Sequence, residues 1–196
     1  LREQVRRGVA FARERYGAER FMAYFQASTS TNAPVGRLRD LFSEVLGCGS
    51  FCALVISTRP DCLPPETLDL LAGLARERDV WVELGVQSAH DATLSAVNRG
   101  HDFAASREAA RALAARGIHV AAHVILGLPG ERVGHFRETA GALRELPLEA
   151  VKIHNLHIVR GTALAARWRR GEVSVWNESE YASVLIDFLR HIPWEW

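Results

Sequence analysis

Five short apolar runs rich in β-branched residues, at 20 to 26, 52 to 58, 80 to 87, 118 to 126 and 149 to 157, recur along the chain with segments of helical period between them. Leu38, Leu41, Phe42, Val45 and Leu46 form one helical stripe; Leu68, Leu71, Leu74 and Ala75 form another, entered through Pro64 and Pro65. Asp102 is placed to cap a third helix that Gly117 ends, and Phe136, Ala140, Leu143 and Leu146 line a fourth, stopped by Pro147. Asn177, with Glu180 three residues on, makes a capping box for a last helix through Leu189, and Val5, Val9, Phe11 and Ala12 mark a leading helix. Parallel strands need crossover connections, which helices at this spacing supply, so the expectation is repeated right-handed βαβ units in a barrel or doubly wound sheet.

The chain has 196 residues, 48% hydrophobic and 24% charged, with no linker-like stretch, which predicts one domain over 1–196. No run approaches the roughly 18 apolar residues of a membrane span, and Leu1-Arg2-Glu3-Gln4 lacks a signal-peptide pattern. A cytoplasmic location and no membrane partner are therefore expected. A net charge of +1 gives nucleic-acid binding no general support. Three cysteines, an odd number, argue against a disulfide framework, and the spacing of Cys48, Cys52 and Cys62 does not predict a metal or cluster site made of these alone. The chain begins at Leu1 and its one methionine is Met22, so a piece of a longer protein is expected; the leading helix also calls for a strand before it.

Side chains alternate faces along a strand, which sorts the polar residues. Val80, Val82, Leu84 and Val86 form the helix-facing set of the third run and leave Trp81, Glu83, Gly85 and Gln87 on the other face. By the same count Gln26 joins Met22 and Tyr24, Ser57 joins Arg59, His123 joins Ala121 and Ile125, and Lys152 and His154 turn inward. Ionisable and amide groups near the C-terminal ends of parallel strands are costly to bury without partners and stand where α/β proteins bind ligands. Parity thus predicts Gln26, Glu83, Gln87, His123 and Lys152 or His154 around a common cavity. A zinc-dependent hydrolase using Glu83, His123 and one of His154 and His157 stays open on the residues alone, as does a cofactor-free barrel module that binds a partner. His101, His119, His135 and His191 read as surface residues at helix starts or on helix faces.

Six runs, taken in order, carry a likeness: Tyr24-Phe25-Gln26, Thr58 to Pro64, Glu83-Leu84-Gly85-Val86-Gln87-Ser88, Asn98-Arg99-Gly100-His101, Leu126-Gly127-Leu128-Pro129-Gly130-Glu131 and Arg160-Gly161-Thr162. Together they resemble the radical S-adenosylmethionine (radical SAM) superfamily, and within it the YhcC/YtqA-type branch, related to oxygen-independent coproporphyrinogen oxidase and the elongator catalytic subunit. The resemblance implies an α/β fold, a partial (β/α)6 TIM-like barrel of parallel strands, with the first strand and the cluster loop missing from this chain. It implies a [4Fe-4S] cluster on three cysteines upstream of Leu1, and reductive cleavage of S-adenosylmethionine (SAM) to a radical that abstracts a substrate hydrogen. An electron donor of the flavodoxin or ferredoxin type is implied with it.

Carried over by position, Ala27, Ser28 and Thr29 meet the methionyl amino group, and Ser57 or Arg59 contacts SAM from the next strand. Gln87 and Arg99 reach the ribose and carboxylate, with Glu83 and Gln26 joining from their strands. His123 stands where relatives hold the ribose, Ile125 and Gly127 belong to the adenine-binding strand and turn, and His154 and His157 fall near the adenine. The branch further implies tRNA wobble-uridine modification, for which Arg160, Arg167, Arg169 and Arg170 are a candidate patch. A small-molecule substrate is the alternative.

Overall fold

The computed structural model describes all residues from Leu1 to Trp196. In chain order the elements are α1 (Arg2–Tyr16), β1 (Met22–Phe25), α2 (Val35–Leu46), β2 (Ala53–Thr58), α3 (Pro65–Ala75), β3 (Asp79–Gln87), α4 (Asp91–Ala96) and α5 (Phe103–Ala114). They continue with β4 (His119–Leu126), α6 (Val133–Arg144), β5 (Ala150–Asn155), α7 (Ala163–Arg169) and α8 (Glu178–Leu189). The strands form one five-stranded sheet in the order β1-β2-β3-β4-β5, parallel and joined through helices, which is the α/β repeat of a partial TIM-like barrel. The chain divides into two compact units, Leu1–Leu84 with Ala109–Val120, and Gly85–Glu108 with Ala121–Trp196.

In the first unit every residue of β2 is buried, as expected of a parallel strand covered on both faces. The α2 stripe buries Leu38, Phe42 and Val45, with Phe42 edge-on to Phe25 at 5.1 Å between centroids. Helix α3 starts with Pro65 in its first turn, where the missing N–H costs nothing, and buries Thr67, Leu68 and Leu71. Helix α1 buries no residue, and between it and β1 runs an apolar groove of about 590 Å³ lined by Val5, Val9, Ala12, Phe21 and Met22. The loop after β1 is pinned to the end of β2 by buried Thr31, whose hydroxyl bonds Thr58 Oγ1 at 2.6 Å and Cys62 O.

In the second unit α6 buries Phe136, Thr139, Ala140 and Leu143, and Phe136 meets Trp176 edge-on at 5.5 Å. The α8 capping box forms as expected, with Glu180 N–H on Asn177 Oδ1 (3.0 Å) and Asn177 N–H on Glu180 Oε2 (2.9 Å). Arg137 of α6 holds Asp187 of α8 through two hydrogen bonds of 2.9 and 2.7 Å. Asp102 caps α5 as read, accepting from Ala105 N–H at 2.9 Å.

Two expectations need correction, and two elements are new. The fifth run does not extend to 157: β5 ends at Asn155, and His157 is exposed beyond it, so it is not a strand residue. His119 opens β4 instead of lying on a helix, and its ring stacks on Trp81 at 4.7 Å. The short helices α4 and α7 were not anticipated, because six and seven residues are too few to show a helical period.

Candidate functional site

Exposure alternates along β3 and β4 as parity requires, except at Gly85 and Ala121, which are buried on the otherwise open face. Val80, Val82, Val120, Ala122 and Val124 are fully buried, whereas Trp81, Glu83, Gln87, His119, His123 and Ile125 are half-open. In the first unit Ser57 and Glu83 are register partners across the β2–β3 ladder, and Ser57 Oγ donates to Glu83 Oε2 at 2.6 Å. The Tyr24 hydroxyl, from β1, donates to the same carboxylate oxygen and lies 3.3 Å from Ser57 Oγ. Two hydroxyls from different strands thus fix one carboxylate, an acceptor suited to an ammonium or a ribose hydroxyl. Ser28 takes a left-handed φ of 60°, and the turn around it closes through Ser30 N–H on Ser57 O (3.2 Å) and Asn32 N–H on Thr29 O (3.1 Å). Arg59 is bidentate to Asp61 (2.9 and 2.5 Å), and that hydrogen bond raises its pKa above the usual range against a smaller opposing effect of burial.

In the second unit the residue without a side chain is the informative one. Arg99, beyond α4, lays its guanidinium over Gly85 and donates from Nη2 to Gly85 O at 2.8 Å. A Cβ on Gly85 would lie 2.3 Å from Arg99 Nη2 and 3.0 Å from Gln87 Nε2. The strand gives up a side chain so that a cation and an amide can meet over it. Gln87 itself has φ 70°, a left-handed value that residues other than glycine seldom adopt, at the last position of β3. On the neighbouring strands the rings of His123 and His154 meet edge-on at 5.3 Å, with Ile125 in register with His154. Gly127 follows with φ 97°; here the close approach comes from the Trp176 ring, 3.3 Å from where a Cβ would stand.

The structure therefore groups Ser57 with Glu83, Gln87 with Arg99, and His123 with Ile125 and His154. Gln26, Ala27 and Ser28 are exposed and Thr29 half-buried in the turn after β1; His157 stands outside the strand and Arg59 is engaged by Asp61. No three His, Cys, Asp or Glu side chains converge as a metal site, so the zinc arrangement of Glu83, His123 and a further histidine does not form. Sequence reasoning left three residues out of the site: Tyr24, Ser88 and Glu131. All three sit inside the motif runs, but only their partners across the fold show what they do.

Profile comparison matches residues 2–143 to the radical SAM superfamily and residues 148–196 to the radical SAM C-terminal domain. The chain belongs to the radical SAM superfamily. It is 41% identical to uncharacterized protein MJ0486 of Methanocaldococcus jannaschii, covering 98% of this chain and 60% of that one. It is 39% identical to uncharacterized protein YtqA of Bacillus subtilis (92% and 56%). Similarity at 32% identity extends to the tRNA uridine(34) acetyltransferase of Methanocaldococcus infernus, over 74% of this chain and 27% of that one. The solved structure of Methanocaldococcus infernus Elp3 superposes with a TM-score of 0.87 at 22% identity, over 98% of this chain and 50% of that one. The radical SAM chain thus spans little more than half the length of the first two relatives.

Superfamily members use a [4Fe-4S] cluster and SAM, and the residues present fit the two differently. The three thiols are scattered: Cys48 Sγ turns back to Glu44 O at the end of α2, Cys52 Sγ to Phe21 O before β2, and Cys62 lies after β2. They do not form a cluster site. The Gly85 cradle, with a guanidinium and an amide converging on it, does fit the carboxylate and hydroxyls of SAM.

Proposed function

We propose that this chain is the SAM-holding part of a radical SAM enzyme, with Arg99 on the methionyl carboxylate and Gln87 on the ribose. The observation that supports this reading most strongly is the glycine cradle: Gly85 leaves room for Arg99 Nη2 where any Cβ would stand 2.3 Å away, and Gln87 Nε2 borders the same space. A guanidinium offers a carboxylate two parallel donors, and an amide both donates to and accepts from ribose hydroxyls. His123, Ile125 and His154 offer ring and aliphatic surface suited to the adenine. SAM held in this way supplies the radical with which the superfamily removes a substrate hydrogen.

The cluster ligands are proposed to lie outside these 196 residues, and the free edge of β1 with its apolar groove suits a preceding strand. The electron donor is proposed to be of the flavodoxin or ferredoxin type. Among substrates, tRNA is favoured by the similarity to tRNA uridine(34) acetyltransferase; a small molecule is the alternative. Calorimetric titration of the complete protein with SAM tests the reading. Arg99→Ala and Gln87→Ala should each weaken binding by roughly 5- to 150-fold, the loss of a buried polar contact, with Arg99 costing more. Unchanged affinity in both variants would overturn it.

A further inference from the structure

Gln87 cannot hold its backbone unaided. Ser88 N–H donates to Val86 O at 2.9 Å across it, and with φ at 70° this is a γ-turn of the strained hand. The turn is tied down on its far side. Ser88 is 1% exposed; its hydroxyl donates to Glu131 Oε1 at 2.5 Å and accepts His90 N–H at 3.0 Å. Ala89 N–H is taken by the buried Thr139 hydroxyl at 3.2 Å. Glu131 comes from the loop after β4, where Gly130 (φ 88°) turns the chain and Glu131 N–H returns to Leu128 O at 3.1 Å. The loops that follow two different strands are therefore locked to each other through one hydroxyl.

We infer that Glu131 is a positioning residue for SAM, acting through Ser88 to hold Gln87 in the γ-turn that sets its amide beside the Arg99 guanidinium. The inference rests on the SAM reading of Gln87 and Arg99. Without Glu131 the buried Ser88 hydroxyl loses its acceptor, and the end of β3 relaxes toward an extended backbone that points the Gln87 amide elsewhere. A glutamine at 131 keeps an acceptor oxygen and should preserve the lock.

The test combines SAM titration with amide hydrogen exchange on the complete protein for wild type, Glu131→Gln, Glu131→Ala, Gln87→Ala and the Gln87→Ala/Glu131→Ala double variant. Glu131→Ala should weaken SAM binding roughly tenfold and speed exchange at Ser88 and His90, while Glu131→Gln stays near wild type on both counts. In the Gln87→Ala background the second substitution should cost almost nothing in affinity, because its effect runs through Gln87. A Glu131→Ala protein that keeps wild-type affinity and protection overturns the inference and leaves the SAM reading intact. Equal losses in the Gln and Ala variants, or full additivity in the double variant, overturn it in favour of direct contact. A wild-type protein with a protected Ser88 that binds no SAM overturns the SAM reading, and this role with it.

Discussion

Gly85 decides whether Arg99 and Gln87 can meet, since the space that a Cβ would occupy is already filled by the guanidinium. Gly85→Ala should displace the Arg99 guanidinium and lower SAM affinity about tenfold, with little effect on fold stability because the atoms that must move are the ends of flexible side chains. A folded Gly85→Ala protein with wild-type affinity in calorimetry would show that the cradle has no role in binding. At Gln87 the strained φ makes a different prediction. Gln87→Gly should be more stable than Gln87→Ala by about 1 kcal/mol, because both lose the amide but only glycine accepts the backbone without strain. Urea unfolding of the two variants measures this directly, and an alanine variant as stable as the glycine one would remove the strain.

Elements with a strong period were legible in the sequence, and those without were not. The α2 stripe, the Pro65 entry to α3 and the Asn177–Glu180 box follow from local chemistry and appear where that chemistry puts them. Parity along β3 and β4 separated Glu83, Gln87 and His123 from the residues that face the helices, because a regular strand alternates its side chains with a period of two. Three things escaped: the end of β5, where an apolar run continues past the last paired residue; the location of His119; and every role that depends on a partner far along the chain, such as Glu131 reaching Ser88. The α6–α8 clasp is of that last kind. Arg137 lowers the Asp187 pKa chiefly through its hydrogen bond, against a smaller opposing effect of burial. A carboxylate whose folded value lies below its unfolded value stabilises the fold above the unfolded range and loses that contribution as pH falls through the folded value. The gap in thermal midpoint between wild type and Asp187→Asn should therefore be present at neutral pH and close below about pH 4. A gap that persists unchanged at acid pH would mean that the clasp does not depend on the carboxylate charge.

For the molecule as a whole, fold and superfamily are settled by similarity, whereas substrate choice turns on surfaces. The arginines proposed for tRNA are partly engaged: Glu172 takes Arg170 through two hydrogen bonds of 2.5 and 3.2 Å and lies 3.6 Å from Arg167. Arg160 and Arg169, the latter bonded to its own helix through Ala165 O at 3.2 Å, are the better probes. If they meet phosphates, replacing both by glutamine should flatten the log–log salt dependence of tRNA binding by about 1 to 2 units without changing SAM affinity. An unaltered slope would move the search to other surfaces or to small molecules.

The central claim, that Arg99 over Gly85 receives the carboxylate of SAM, is tested most directly by comparing SAM with its decarboxylated form in calorimetric titrations of the complete protein. The wild type should prefer SAM by at least roughly tenfold, the value of a charge-assisted pair, and Arg99→Ala should narrow that preference by about the same factor. A wild type that does not distinguish them, or an Arg99→Ala variant that keeps the full preference, would contradict the account.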